Sequence, residues 1–344
     1  MEKGITKLIL KAFLFSLPVL ILTGAYVWLD PFKVLYKYEN YMPLNEQYVT
    51  LNRDFVSTEV FRNNYPKYKY DSFIFGSSRS LFYEAADWLP YINTAKDKIF
   101  HFDASGESLY GIRQKINYLQ KENVPVKNCL LVLDYLTLKK TVNQDGIIVR
   151  KHYLLSGESS LAFQFMFFKA YLDRKFIVAY LDMHFNHELK PYMRKIMNKR
   201  NWHYNPVNNE LQQKTAEDEI KKGVYYERLS KGFKRKDTLT KVAPAIIGEV
   251  QLDYLNDIRR AFIKDSTVYK IIINPIYDQV YMNPEDVKKL KAIFGDGSVF
   301  DFSGKNKFTE DYHNFYDRSH YRPLVSREIL KIIYSNDNQG EKLQ

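Results

Sequence analysis

Cysteine is almost missing from this chain. Cys129 is the only one in 344 residues, so no internal disulfide can form. It lies in the apolar run NCLLVLDY and is read as a buried core thiol, which leaves the redox compartment open. Glycine (14) and proline (12) are few and the apolar share is ordinary, which excludes a chain dominated by disorder. Internal repeats and low-complexity tracts are absent. There is no zinc-finger spacing and no RNA-binding signature, so nucleic acid is the weakest of the anionic partners open to a basic chain. No Walker-type or G-x-G-x-x-G loop is present, which argues against a phosphate-binding α/β protein, and no cofactor is expected. Histidine is scarce. His184 and His187, in HFNH, lack a visible third ligand and are read as surface residues, so no metal site is expected.

What the chain has in excess is aromatic and basic. It carries 28 Tyr, 23 Phe and a net charge of +11, a balance that favours a membrane face or an acidic glycan. The stretch AFLFSLPVLILTGAYVWL, residues 12–29, contains no charge. At about 1.5 Å per residue it spans roughly 27 Å, enough for a hydrocarbon core. Lys3, Lys7 and Lys11 precede it, placing the N-terminus in the cytoplasm and everything after Asp30 outside. TGA at 23–25 is tolerable for signal cleavage, but the apolar run continues through Trp28, so an uncleaved anchor is favoured. Pro18 is tolerated in a membrane helix.

Residues 1–30 are thus read as cytoplasmic end and anchor, 31–69 as a tyrosine-rich stem, and 70–344 as an α/β domain. SFIFG, KIFHFDA and NCLLVLDYL read as strands, separated by helical stretches, and the alternation resumes with VYKIIINPI and SVFDFSG. This pattern predicts βαβ units and a parallel sheet. Residues 139–262 break the rhythm and are read as a large, mainly helical insertion, too long for a simple loop and expected to act as a cap. Within it, SSLAFQFMFFKAYLDRKFIVAYLDMHF is rich in Phe but interrupted by Lys169, Asp173, Arg174 and Lys175, so it is not a second span. Core or cap helices are the favoured reading; an apolar surface facing a membrane or membrane partner is the alternative.

The chemistry-bearing stretch is FIFGSSRSLFYEA. Gly76 allows a tight turn at the end of a strand, and Ser77 or Ser78 then sits at the start of a helix, where free N–H groups and the dipole favour a developing oxyanion. The hydrolase elbow G-x-S-x-G is not matched, because Ser80 replaces the second glycine. A serine nucleophile needs a base, and the base an orienting group. DRSHYRP supplies Asp317 and His320, whose spacing lets carboxylate and imidazole share one side of a helical turn. His101 lies on a strand and is read as core, and His313 lacks the D-x-x-H spacing. Arg79 is read as a surface charge or a polymer contact, and Asn274, closing a strand on the same edge, as a residue lining the pocket.

With Gly76-Ser77-Ser78 after the first strand and D-x-x-H before the last helix, the chain resembles the SGNH (GDSL-like) hydrolase family over residues 70–335, with the insertion unmatched. The resemblance implies a three-layer α/β/α, flavodoxin-like parallel sheet. It makes Ser78 the nucleophile and Asp317 and His320 its partners, and gives the N–H groups of Ser78 and Gly106, the latter in SGES, as oxyanion donors. The family's third block is G-x-N-D, with the Asn as a further donor. Here LVLDYLTL has Asp134 and no Asn, and an ionised Asp cannot donate; Asp134 is kept with Arg79 and Asn274 as a substrate-side candidate. Anchor, stem, GSSRS and terminal D-x-x-H together resemble the membrane-anchored branch that includes the D-alanyl-lipoteichoic acid transfer protein and the alginate acetylation proteins. That implies an extracytoplasmic serine acyltransferase or esterase acting on a surface polysaccharide or similar polymer, beside a membrane-bound O-acyltransferase. The alternative is a catalytically silent module that positions the polymer or the acyltransferase.

Overall fold

Most of the sheet strands are runs of consecutive residues buried on both faces, as a strand covered by helices on each side requires, while the last one is buried only at its first residue. In the computed structural model, which describes residues 2–44, 47–199, 202–233 and 241–335, these strands are β1 (Ser72–Gly76), β2 (Ile99–His101), β3 (Asn128–Leu133), β4 (Val268–Ile273) and β5 (Val299–Asp301). They form one parallel sheet in the order 2-1-3-4-5. The principal helices are α1 (Glu2–Leu29), α2 (Arg53–Tyr68), α3 (Leu109–Lys121), α4 (Ser160–Tyr171), α5 (Arg174–Asn186), α6 (Lys214–Lys221), α7 (Glu249–Lys264), α8 (Pro284–Phe294) and α9 (Pro323–Ser335). The expected α/β class and parallel sheet are present.

Alternate strand residues divide the core. Phe73, Phe75, Cys129, Leu131, Leu133, Ile271 and Ile273 belong to one layer, with α2, α3, α7 and α8. Ile74, Leu130, Val132 and Ile272 belong to the other, with Phe82, Trp88 and the Val325, Ile329 and Ile333 stripe of α9. Cys129 is buried in the first of these layers, and burial pushes its thiol pKa well up. Because β1 and β3 are neighbours while β2 lies outside, the winding reverses between them. In sheets of this kind the crevice at the carboxyl ends of two such strands is where ligands bind.

Two segments are placed differently from the sequence reading. The insertion of 139–262 does not extend to 262. Leu255, Ile258, Ala261 and Phe262 form the buried stripe of α7, which packs beside α3 as the crossover between β3 and β4. A parallel pair needs such a crossover, so α7 belongs to the frame. The described residues of the 31–69 segment are packed onto the domain instead of standing off as a stem. The Asp30 carboxylate gathers the amides of Val34, Leu35 and Tyr36 and the Tyr38 hydroxyl directly after α1. On α2, Phe61 is buried and its ring stacks on Phe102, with centroids 5.4 Å apart. α1 itself is long and apolar enough to cross a membrane.

A buried ionic cluster fastens α2 to α3, to the loop after β2 and to the insertion. Lys115 Nζ contacts Glu107 Oε2 at 2.7 Å and Asp54 Oδ2 at 3.1 Å; Lys151 Nζ contacts Asp54 at 3.2 Å and Glu107. The His152 amide donates to Asp54 Oδ1 at 2.8 Å. Burial pushes the Asp54 carboxyl up, but Lys151, Lys115 and the His152 amide outweigh it and hold the pKa at about 2. Since the folded value lies below the usual carboxylate value of about 3.9, the stability from Asp54 is complete above about pH 4 and is lost as pH falls towards about 2. Asp54→Ala would leave two buried ammonium groups sharing the single Glu107 carboxylate, so it should cost about 3–5 kcal/mol. Thermal unfolding of the full chain checks this, and an unchanged midpoint would mean the cluster is not holding α2.

Candidate active site

β1 ends against β3. A Cβ on Gly76 would lie 2.8 Å from both the Val132 carbonyl oxygen and Ser80 Cβ, so only glycine allows this approach. The next turn is closed by the Ser80 amide (2.9 Å) and hydroxyl (2.8 Å), both donating to the Ser77 carbonyl. Ser77 and Ser80 are thereby buried, while Ser78 and Arg79 stand half-buried at the crest. The long helix expected after Ser78 does not form. A 3-10 turn (Ser80–Phe82) and a four-residue helix (Ala85–Trp88) follow instead. Leu81, Phe82 and Tyr83 are all buried, and three consecutive buried residues cannot share one face of a helix. No extended helix dipole is therefore aimed at Ser78.

Ser78 Oγ lies 2.8 Å from His320 Nε2. His320 Nδ1 lies 2.9 and 3.0 Å from the two carboxylate oxygens of Asp317. Asp317 and His320 face each other across a tight antiparallel hairpin, Phe315–Asp317 paired with His320–Tyr321, and not on a helical turn. Their spacing suits either geometry; the short β-pairing decides it. Asp317 Oδ1 also accepts the amides of Ser319 (2.7 Å) and His320 (3.0 Å). Burial raises the Asp317 pKa, but the His320 ring and these amides prevail and hold it below the usual carboxylate value. With Asp317 ionised, Nδ1 carries the ring proton and Nε2 accepts from the serine hydroxyl. Phe82 meets the imidazole edge-on at 5.9 Å.

Arg79 is not a free surface charge. Its Nη1 lies 2.6 Å from Asp134 Oδ2 and its Nε donates to the Ser319 carbonyl at 3.0 Å. Asp134 is buried, and its other oxygen accepts the Thr137 amide at 2.9 Å, capping the short helix Tyr135–Lys139. Both its oxygens are thus engaged inside the protein, so it does not stand open to substrate. Asn274 is also buried, and together with Asp134 it lines a small pocket closed by Ile276, Tyr281 and Met282. Its Oδ1 accepts the Tyr321 hydroxyl at 2.7 Å, beneath the hairpin, while Nδ2 has no partner among the described residues.

Gly106 lies in the loop after β2, whose Ala104 amide donates to the Gly76 carbonyl at 3.2 Å. It is exposed in the left-handed region at φ 58°, and Lys140 Nζ holds its carbonyl at 2.9 Å. Among the described residues the amides of Ser78 and Gly106 donate to no other group, and no hydrogen bond joins the two residues. His101 is buried on β2, and burial holds its ring pKa low. His313 pairs with Asp311 at 2.8 Å. His184 stacks on Tyr180 at the end of α5.

What braces the hairpin is not legible from sequence alone. Arg322 donates twice to Glu217 on α6, at 2.9 and 2.7 Å, and the Tyr316 hydroxyl donates to the same carboxylate at 2.7 Å. The Tyr225 hydroxyl donates to the Tyr316 carbonyl at 2.9 Å. The insertion thus holds the hairpin from outside. DRSHYRP contains Arg322, but nothing in KTAEDEIK marks Glu217 as its partner.

Arg79→Ala should strand a buried Asp134 carboxylate and cost about 3 kcal/mol. Adding Asp134→Asn should recover most of that loss, because Asn still accepts from Thr137 without a charge. Thermal unfolding of the single and double variants checks both, and an unaltered Arg79→Ala midpoint would show the pair to be dispensable. Comparison with models of known protein families gives no match, and comparison with curated proteins gives none either.

Proposed function

We propose that this chain is an SGNH-like, membrane-anchored serine acyltransferase or esterase acting outside the cytoplasmic membrane on a surface glycan or similar polymer. The observation that supports it most is the unbroken relay from Ser78 Oγ through His320 to Asp317. In this reading Ser78 Oγ attacks the carbonyl carbon of an acyl ester and its proton passes to His320 Nε2. Asp317 stabilises the imidazolium. The tetrahedral intermediate collapses as His320 returns the proton to the departing alcohol, leaving an acyl-serine. A polymer hydroxyl, or water, then attacks the acyl-serine with His320 as base, and Ser78 is regenerated. The free amides of Ser78 and Gly106 are the proposed oxyanion donors. The anchor α1, with Lys3, Lys7 and Lys11 before it, supports an N-terminus inside and a domain outside. It also raises the effective concentration of a membrane-bound acyl donor or O-acyltransferase.

Fluorophosphonate labelling of the full chain tests the nucleophile. Ser78→Ala should abolish labelling, while Ser77→Ala and Ser80→Ala retain it, since both hydroxyls are buried in the turn. Asp317→Asn should slow acylation by about 10⁴-fold through the wrong histidine tautomer. No labelling of the unaltered chain would favour the silent positioning module, and labelling that survives Ser78→Ala would put the nucleophile elsewhere. For the substrate, no Asn donor stands at Asp134, so small esters should be poor substrates. Slow turnover of nitrophenyl acetate by the purified protein, with altered glycan O-acylation in a deletion strain, is the expected pair of results. Rapid hydrolysis with unchanged glycan would mean a simple esterase.

A further inference from the structure

We infer that the α4–α5 helical hairpin lies on the outer leaflet of the membrane that α1 spans, as a second contact that fixes the domain against the bilayer. This rests on the anchor reading of α1. The end of α1 is packed onto the hairpin. Tyr26 is buried with its ring 5.2 Å from both Phe168 and Tyr171, and Phe32, just past the helix, stacks on Phe176 at 4.8 Å. Wherever the anchor leaves the hydrocarbon, α4 and α5 must therefore be at the same level. Trp28, 78% exposed, meets His184 edge-on at 6.5 Å and sits where an interfacial aromatic belongs.

The hairpin's outer side fits that position. On α4, Leu161, Phe165 and Leu172 are exposed and share a stripe with Phe168, the residue that touches the anchor, so the stripe runs along the anchor side. On α5, Val178 and Phe185 are exposed, and Phe185 follows directly on His184, which touches Trp28. Phe165 is 64% and Phe185 74% exposed, large apolar surfaces left uncovered among the described residues. Exposed Lys169, Arg174 and Lys175 cluster at the turn between the helices, suited to lipid phosphates. An apolar face with basic residues beside it, joined rigidly to a membrane span, is the arrangement of an interfacial helix pair.

Cys129 is buried, so single cysteines can be labelled selectively. The full chain would be reconstituted into protein-free phosphatidylcholine–phosphatidylglycerol vesicles with an environment-sensitive fluorophore at Phe165→Cys, Phe185→Cys, Phe15→Cys or Ile332→Cys. Ile332 is exposed on α9, in the opposite layer. Positions 165 and 185 should be quenched by nitroxides on the lipid chains and be several-fold less accessible to aqueous iodide than position 332. If iodide reaches 165 and 185 as freely as 332 while 15 stays lipid-quenched, the hairpin does not rest on lipid, and its apolar face serves a protein partner. If position 15 is also open to iodide, the anchor reading falls with it.

Discussion

The Arg79 guanidinium is the contact on which the candidate site depends. It stands one residue after Ser78, at the turn leaving β1, and reaches in two directions: to the buried carboxylate of Asp134 at the end of β3, and to the Ser319 carbonyl at the tip of the Asp317–His320 hairpin. Three parts of the chain distant in sequence meet on one side chain. The planar fork of arginine suits this, since a lysine offers a point charge and cannot hold two acceptors at fixed angles. The Asp134 carboxylate is shut away from water, so this pair is little screened and has a definite geometry.

Around that contact the site is held from two further sides. From the insertion, Glu217 grips Arg322 and Tyr316, and Tyr225 reaches the hairpin backbone. A two-residue hairpin tip carrying a histidine would otherwise be a mobile loop; here side-chain bonds on both flanks fix it. From the sheet edge, Glu107 lies one residue after Gly106 and is tied to Lys115 and Lys151, so the loop that carries the free Gly106 amide is anchored by the same buried cluster that seats α2. Fold stability and site geometry therefore share residues, and α2, α6 and the hairpin act as one support.

The strands were legible because a strand covered on both faces is a short, continuous apolar run: SFIFG, NCLLVL and VYKIII can be read without context. The residues Ser78, Asp317 and His320 were legible because their types and chain order are informative, and the structure brings them within hydrogen-bond distance. Their local conformations were not. A spacing of three serves a helical turn and a tight hairpin alike, and the choice rests on the pairing of Phe315 with Tyr321. The break after Ser78 depended on what α9 and the hairpin offer to Phe82 and Tyr83, while Leu81 turns to the opposite layer. Residues 31–69 resembled a stem because Arg53 and Asp54 are charged, and charge ordinarily signals exposure. Their partners, Asp103, Lys115 and Lys151, lie far along the chain.

An aspartate at the end of β3 is at first sight hostile to acyl transfer. A carboxylate near a developing oxyanion would raise its energy, and it has no proton to donate. The structure removes the first objection without removing the residue. One Asp134 oxygen is capped by the Thr137 amide and the other by Arg79, so the charge is compensated before any substrate arrives. The second objection stands, and on the proposed reading it leaves the free backbone amides of Ser78 and Gly106 as the oxyanion donors. A hole made of two amides is weaker than one with a side-chain donor added, and it suits a substrate held in place by other means. On the proposed reading, an anchored enzyme working on a polymer at the membrane has such means, because its anchor would supply by proximity part of what the missing donor does not supply by electrostatics.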